Sequence, residues 1–212
     1  VSKLVKLTMS DDVTGIGDSA FSNCYLLKDF GWPSQLTTVG ISAFTGCRLL
    51  QNFDFSGTKL VSIGKQAFYQ AYEARTLKFP ATLQSLGAQA FGNMNYNKTA
   101  YITEVALPAA LTDLAKTAFD KVTGLKALNV EEGNPVYVST DGVVLLRETG
   151  EIYIWPAANE ITEFTIPETM TVIPAKMFQN NGSIKKLYIP ATVTRVGANA
   201  FTGSALEEVY FE

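Results

Sequence analysis

Apolar and polar residues alternate in short runs that recur along the whole chain. Each run follows the pattern L-x-x-φ-x-φ, in which φ is apolar, and the alternation at its end is typical of a strand with one buried face. The runs recur at steps of 23, 23, 24, 28, 23, 36, 23 and 22 residues, beginning at Leu4, Leu27, Leu50, Ala74, Ile102, Leu125, Ile161, Ile184 and Leu206. Steps this regular predict stacked coils.

A second marker, the dipeptide Ala-Phe, recurs with the same period. Its copies are Ala20-Phe21, Ala43-Phe44, Ala67-Phe68, Ala90-Phe91, Ala118-Phe119 and Ala200-Phe201, with Met177-Phe178 as a seventh, altered copy. A small residue stands three positions before each Ala-Phe, and it is Gly17, Gly40, Gly64, Gly87, Ala115 or Gly197 in six copies. The seventh is Pro174, whose ring holds φ near about −65°. We therefore expect the glycines to serve close packing between coils, and each x-x-Ala-Phe to form a short helical turn.

Stacking is required because a coil of 23 residues cannot bury its own apolar side. The chain is predicted to be an α/β solenoid forming a single domain over residues 1–212. It has about nine coils of ~23 residues, with a parallel β-sheet on one face and short helical turns on the other. The phenylalanines form the spine of the core. A six-residue excursion, Asn95 to Ala100, lengthens one coil and is predicted to be a surface loop.

One segment departs from the repeat, where Leu125 to Val130 is followed by residues 131–160 before the next run begins at Ile161. The dipeptides Asp141-Gly142 and Thr149-Gly150 lie between β-rich runs, and such dipeptides are typical of hairpin turns. We expect residues 131–160 to form a β-hairpin insertion that replaces the helical half of one coil.

The repeat P-x-x-[LV]-x-x-[ILV]-G-x-x-A-F-x-x-C, followed by L-x-x-[ILV]-x-[ILV]-P, resembles the BspA-like leucine-rich repeats of bacterial surface proteins. The resemblance covers nearly the whole chain, and an insertion similar to Asn134 through Leu145 is familiar in that family. It implies a right-handed β/α solenoid located outside the cell or on the outer cell surface. For some members it also implies adhesion to host matrix proteins or to other cells.

Composition excludes several classes of function. The net charge is −3, so no basic field exists to hold nucleic acid, and no apolar stretch is long enough for a transmembrane helix. Histidine is absent, which removes Ser-His-Asp and Cys-His nucleophiles and most zinc sites.

The motifs of other enzyme classes are incomplete. Two S-x-x-K strings lack the partner motifs of serine acyl-enzymes. Neighbouring carboxylates such as Glu207 and Glu208 point to opposite faces of a strand, so they cannot act as a glycosidase pair. We expect no enzymatic activity, cofactor or metal.

The two cysteines, Cys24 and Cys47, occupy the same position in adjacent coils. Their Cα atoms are therefore expected about 5 Å apart, which is within disulfide range. The alternative is a pair of buried free thiols, since leucine-rich repeats commonly use a small Asn or Cys at an inward ladder position. The sequence leaves both open.

Binding by a broad surface is the better expectation, because a solenoid displays outward side chains from every strand. The C-terminal strands combine two tyrosines with opposite charges, a composition typical of protein-binding hot spots and of sugar platforms. The candidate binding residues are Glu163, Lys186, Tyr188, Glu208 and Tyr210, with Tyr153 and Trp155 of the insertion as an extension. The partner is a protein or a glycan, the alternatives being an adhesin, a carbohydrate-binding module or a structural spacer, and the chain is expected to be a monomer.

Overall fold

The computed structural model describes residues 3–95 and 101–212. Within these residues every regular element is a β-strand and none is a helix. Of the predicted surface loop from Asn95 to Ala100, all but Asn95 lies outside the described residues. Asn95 is buried, and its side-chain amide donates to the carbonyl oxygens of Tyr72 and Ala74.

The nine L-x-x-φ-x-φ runs form nine strands, as predicted, and we call the side of the solenoid that they share the strand face. They pair in parallel with aligned register, for example Leu7 with Phe30 and Phe53 with Leu77, but in three pairs and one group of three rather than in one continuous sheet. Numbered in chain order together with the strands given below, they are β1 (Lys6–Thr8), β3 (Asp29–Gly31), β5 (Asn52–Asp54), β7 (Thr76–Lys78), β9 (Glu104–Leu107), β11 (Ala127–Val130), β15 (Glu163–Thr165), β17 (Lys186–Ile189) and β19 (Glu208–Phe211).

A second set of parallel strands, each two residues long, lies between the strand face and the Ala-Phe turns. The sequence did not predict them, because two residues are too few to show an alternating pattern. The first five form one sheet and the last two form another. They are β2 (Gly15–Ile16), β4 (Thr38–Val39), β6 (Ser62–Ile63), β8 (Ser85–Leu86), β10 (Asp113–Leu114), β16 (Val172–Ile173) and β18 (Arg195–Val196).

The turns that carry Ala-Phe are not helical, so the prediction of short helical turns is wrong. Alternate NH groups in these turns point in two directions. The Ser22 NH donates to the Ser19 carbonyl within its own turn, whereas the Phe21 NH donates to the Ala43 carbonyl of the next coil at 2.7 Å. A helix would direct all its NH groups along its own axis and leave the neighbouring coil unbonded. We call these bonds between the turns of successive coils the turn ladder.

This alternation is accompanied by left-handed backbone at two positions in each described turn except the one at residues 115–122, where Lys121 but not Thr117 has a positive φ. The residue before Ala-Phe is one of them, with φ of 55° at Ser19 and 54° at Ser42. The residue two positions after the Phe is the other, with φ of 59° at Asn23 and 75° at Gly46. Left-handed backbone costs a non-glycine residue roughly 1–2 kcal/mol, and the bonds of the turn ladder offset that cost.

Four of the five glycines three positions before Ala-Phe serve close packing, as predicted, whereas a Cβ added to Gly17 would have no atom within 4 Å, and none of the five has a positive φ. A Cβ atom added to Gly64 would lie 2.7 Å from the carbonyl carbon of Gly40, and one added to Gly87 would lie 2.5 Å from the Lys65 nitrogen. Pro174 is tolerated at the same position because it follows the insertion and lines an open cleft rather than a packed turn.

We expect Gly87→Ala to lower the free energy of unfolding by about 1–3 kcal/mol, because the added methyl group would meet backbone atoms of the preceding coil. Gly57→Ala is the matched control. No atom lies within 4 Å of a Cβ added at Gly57, so that change should stay within about 0.5 kcal/mol of the wild type. Urea denaturation of both variants checks the difference, and equal midpoints would contradict the packing role.

Phenylalanines stack along the core with one ring from each Ala-Phe turn. The ring centroids of Phe44 and Phe68 are 5.4 Å apart at an interplanar angle of 21°, and those of Phe68 and Phe91 are 5.2 Å apart at 23°. The stack continues from Phe91 to Phe119 and resumes between Phe178 and Phe201. The predicted spine is confirmed, with a break at the insertion.

The insertion forms the antiparallel strands β12 (Tyr137–Thr140), β13 (Val143–Leu146) and β14 (Ile152–Ile154) in that order. The predicted turn at Asp141-Gly142 joins β12 to β13, with φ of 51° and 77°. Strand β13 is buried on both sides: Val144 packs into the core of the N-terminal coils, whereas Val143 and Leu145 pack into the core of the C-terminal coils. The insertion therefore crosses the core of the solenoid and joins its two halves.

Candidate functional site

Five of the seven candidate residues lie together on the strand face of the last three coils. The parallel register aligns Glu163, Lys186 and Glu208 across β15, β17 and β19, and it aligns Thr165, Tyr188 and Tyr210 in a second row. Their side chains point outward because the intervening Phe164 and Leu187 occupy the core. We call these five residues, Glu163, Lys186, Tyr188, Glu208 and Tyr210, the tyrosine cluster.

Charges within the tyrosine cluster alternate along the ladder. The Lys186 Nζ lies 3.9 Å from a Glu163 oxygen and 3.8 Å from a Glu208 oxygen, so one cation is shared by two carboxylates. All three side chains are partly exposed to water, which limits the contribution of these pairs to stability. The cluster carries a net charge of about −1 at neutral pH because two carboxylates face one ammonium group.

The two tyrosine rings stack directly on each other. Their centroids are 5.1 Å apart and the interplanar angle is 12°. The Tyr188 hydroxyl donates to Glu163 at 3.3 Å, and the Tyr210 hydroxyl donates to Glu208. These contacts hold both rings in one orientation, so the two tyrosine side chains would lose little further conformational freedom when a partner binds them.

The hydrogen bond to Glu208 also affects the ionisation of Tyr210. Donating that bond favours the neutral phenol, and the nearby carboxylate charge acts in the same direction, so both raise the pKa of Tyr210 above its usual value. The phenol therefore keeps its proton at neutral pH and remains a donor.

Tyr153 and Trp155 lie elsewhere, on the side of the solenoid formed by the short strands and turns. They line an open cleft of about 420 Å³ together with Lys116, Pro174 and Lys176. Trp155 packs against the ring of Phe164 at 5.7 Å between centroids. No contact in the described residues joins them to the tyrosine cluster, so they do not extend its surface.

Tyr153 has a structural task that the sequence did not reveal. The insertion omits the short strand that would pair with β10, and Tyr137 and Tyr153 complete that edge. The Tyr153 hydroxyl donates to the Leu114 carbonyl at 2.6 Å, while the Tyr137 hydroxyl accepts from the Leu114 NH at 3.2 Å. Burial raises the pKa of Tyr153 to about 12, with a smaller contribution from Tyr137.

The two cysteines are buried free thiols. The Cys47 thiol donates to the Phe21 carbonyl of the preceding coil at 3.2 Å. Burial, and to a lesser degree the neighbouring Cys24, raises the pKa of Cys47 from 9.0 to about 12. Below pH 9 both the native and the unfolded chain carry the neutral thiol, and burial of that thiol stabilises the fold.

At pH 8 we expect a thiol-reactive dye to label neither cysteine in the native protein and both after denaturation. Between pH about 9 and about 12 the unfolded chain loses the Cys47 proton while the native chain keeps it, so stability should fall as pH rises through this window. Dye titration with and without denaturant checks the labelling, and denaturation at several pH values checks the trend. Absence of reactive thiols in denaturant would instead indicate a disulfide.

Among residues 3–95 and 101–212, no cluster of His, Cys, Asp and Glu side chains could hold a metal ion. The same residues include no helix that could cross a membrane.

Comparison with solved structures shows the same fold in bacterial leucine-rich-repeat proteins. The pneumococcal vaccine antigen PcpA aligns over 97% of this chain and 50% of its own, with a TM-score of 0.71 and 24% identity. A leucine-rich-repeat protein from Eubacterium ventriosum aligns over 98% of this chain and 60% of its own, with a TM-score of 0.66 and 22% identity. A leucine-rich cell surface protein from Faecalibacterium prausnitzii aligns over 99% of this chain and 61% of its own, with a TM-score of 0.59 and 22% identity.

The chain thus spans about half to three fifths of the length of these relatives. No curated protein sequence matches it at a significant level. The family described as BspA type leucine rich repeat region matches residues 1–126 and 151–212 in six copies, leaving out most of the insertion. Because the match covers most of the chain, this protein belongs to the BspA-type leucine-rich-repeat family.

Proposed function

We propose that the chain is a non-catalytic binding module, exported to the cell surface or the medium, that holds a partner protein through its strand face. The observation that carries the proposal is the tyrosine cluster, in which two stacked rings are fixed by hydrogen bonds to Glu163 and Glu208. Partly exposed aromatic residues held rigidly are the commonest anchors of protein interfaces. The cell-surface description of the Faecalibacterium relative supports the location.

The stacking favours a protein partner over a glycan. A sugar ring packs on the open face of an aromatic side chain, and a broad sugar platform needs such faces side by side. Tyr188 and Tyr210 instead stack face to face, so one face of each ring is covered and the two rings do not lie side by side as a platform. The net negative charge of the cluster favours a partner surface that carries Lys or Arg, and binding should weaken as salt concentration rises.

The experiment is a binding screen of the purified chain against a panel of matrix proteins and polysaccharides. We expect saturable binding to a protein, and we expect the Tyr188→Ala, Tyr210→Ala double variant to weaken it by at least about tenfold, which is the effect of losing about 1.4 kcal/mol at a hot spot. Tyr25→Ala is the matched control, because Tyr25 is an exposed tyrosine in a turn outside the cluster.

Three outcomes contradict the proposal. Binding to polysaccharides alone, lost in the double variant, would identify a carbohydrate-binding module. Binding that survives the double variant would place the site elsewhere on the chain. Failure against both classes would favour a structural spacer.

A further inference from the structure

The turn ladder is interrupted once in the middle of the solenoid. In every other pair of successive turns within the described residues, three NH groups of one turn donate to three carbonyls of the next, as the NH groups of Lys176, Phe178 and Asn180 do to Ala198, Ala200 and Thr202. The insertion provides no such turn. The turn at residues 115–122 therefore faces the turn at 174–180 without the intervening coil that would bond to both.

The interruption leaves main-chain groups on two opposing walls without a hydrogen bond to the described chain. On one wall they are the NH groups of Thr117, Phe119 and Lys121. On the other wall they are the carbonyls of Ala175, Met177 and Gln179. Both sets belong to alternate residues, which is the spacing at which each intact turn meets its neighbour.

Space is available beside these groups. The cleft of about 420 Å³ includes Ala175 and Met177 in its lining, and an adjoining hollow of about 200 Å³ includes Thr117, Phe119 and Lys121. Lys116 and Trp155 line both, so the two hollows meet at these side chains. We call the combined space the insertion cleft.

The charged rim of the insertion cleft is mainly basic. Lys116, Lys121 and Lys176 are exposed and none forms an ion pair within the described residues, while Glu151 and Asp120 are the acidic lining residues. The Asp120 carboxylate already accepts a hydrogen bond from Gln89. The rim therefore favours a ligand that brings carboxylates.

We propose that the insertion cleft binds an acidic peptide segment of a partner protein, which takes the conformation of the missing turn and forms its hydrogen bonds through its main chain. A polypeptide offers acceptors to one wall and donors to the other at the spacing that the walls require, because in every intact part of the solenoid a polypeptide turn occupies this place. Recognition is then a form of main-chain augmentation, with Tyr153, Trp155 and Met177 providing apolar contacts. This site is separate from the tyrosine cluster and does not depend on it.

Selection from a displayed library of random decapeptides on the whole immobilised chain tests the proposal. We expect selected peptides to be rich in Asp and Glu and to slow hydrogen exchange at the NH groups of Thr117, Phe119 and Lys121. The Lys116→Glu, Lys176→Glu double variant should bind them about tenfold more weakly, the factor that corresponds to about 1.4 kcal/mol.

Lys65→Glu is the matched control, because Lys65 is exposed and occupies the position of Lys116 in a coil whose turn ladder is intact. The affinity of the Lys65→Glu variant for the peptides should stay within about twofold of the wild-type affinity. The Tyr188→Ala, Tyr210→Ala variant should also bind them unchanged, so that failure here is distinguishable from failure of the strand-face proposal. Recovery of no binding peptide, unchanged exchange at the three NH groups, or full affinity in the double lysine variant would overturn the inference.

Discussion

Replacing Phe91 by alanine is expected to lower the free energy of unfolding by about 3–5 kcal/mol. The side chain is fully buried, and its ring contacts Phe68, Phe79 and Phe119 at centroid distances of 5.2, 5.6 and 5.9 Å. Removing it would leave a cavity between two coils whose backbones are fixed by the turn ladder and cannot close around it. Denaturation in urea gives the change directly.

Phe211→Ala is the matched control for Phe91→Ala. Phe211 lies on the strand face side of the last described coil and is 69% exposed. Its removal should change the free energy of unfolding by less than about 1 kcal/mol, since little apolar surface leaves a packed environment. An equal effect of the two substitutions, or an unchanged midpoint for Phe91→Ala, would contradict the stacked spine.

Replacing Val144 by aspartate is expected to cost more than about 4 kcal/mol and to abolish the cooperative unfolding transition. Val144 is fully buried on the N-terminal side of β13, while its neighbours Val143 and Leu145 are buried on the other side. A carboxylate there has no partner. We infer that residues 3–95 and 101–212 unfold as one unit because β13 belongs to the cores of both halves.

Thr149→Asp is the control in the same insertion. Thr149 is exposed, and its hydroxyl accepts from the Glu151 NH, a role that an aspartate carboxylate also fills. This variant should melt like the wild type. If Val144→Asp also melts like the wild type, the insertion is a surface appendage rather than a part of the core.

Most of the fold could be predicted because each coil repeats the same physical requirement. The period located all nine strands of the strand face, and the small residues before Ala-Phe indicated close packing, since Pro174 excluded a need for positive φ. The dipeptide Asp141-Gly142 identified a tight turn between two strands of the insertion. Each of these inferences depended on local chemistry that recurs or that has one common structural meaning.

The conformation of the turns could not be predicted in this way. A small residue followed by a large apolar one, as in Ala20-Phe21, also fits a helical turn. The left-handed backbone at Ser19 and Asn23 is favoured only because carbonyl groups of the next coil accept hydrogen bonds from the turn. The bonds depend on stacking, so a single coil does not show them. The Ser and Asn side chains at these positions were the available indication, since both residues occur in turns more often than in helices.

Only part of the candidate site could be predicted from the sequence, for a similar reason. Register between parallel strands follows from the repeat, so Lys186, Tyr188, Glu208 and Tyr210 could be assigned to one surface. Tyr153 lies in the insertion, which has no equivalent coil to supply a register. Only the three-dimensional structure shows that no short strand pairs with this edge of β10 and that Tyr153 bonds to it instead.

Hydroxyl-radical footprinting of the chain bound to the first protein captured in the screen tests the central claim most directly. We expect Tyr188 and Tyr210 to lose reactivity in the complex, while Tyr25 and Tyr101, which are 37% and 45% exposed, remain unchanged. Unchanged reactivity of Tyr210 in a saturated complex would contradict the assignment of binding to the tyrosine cluster.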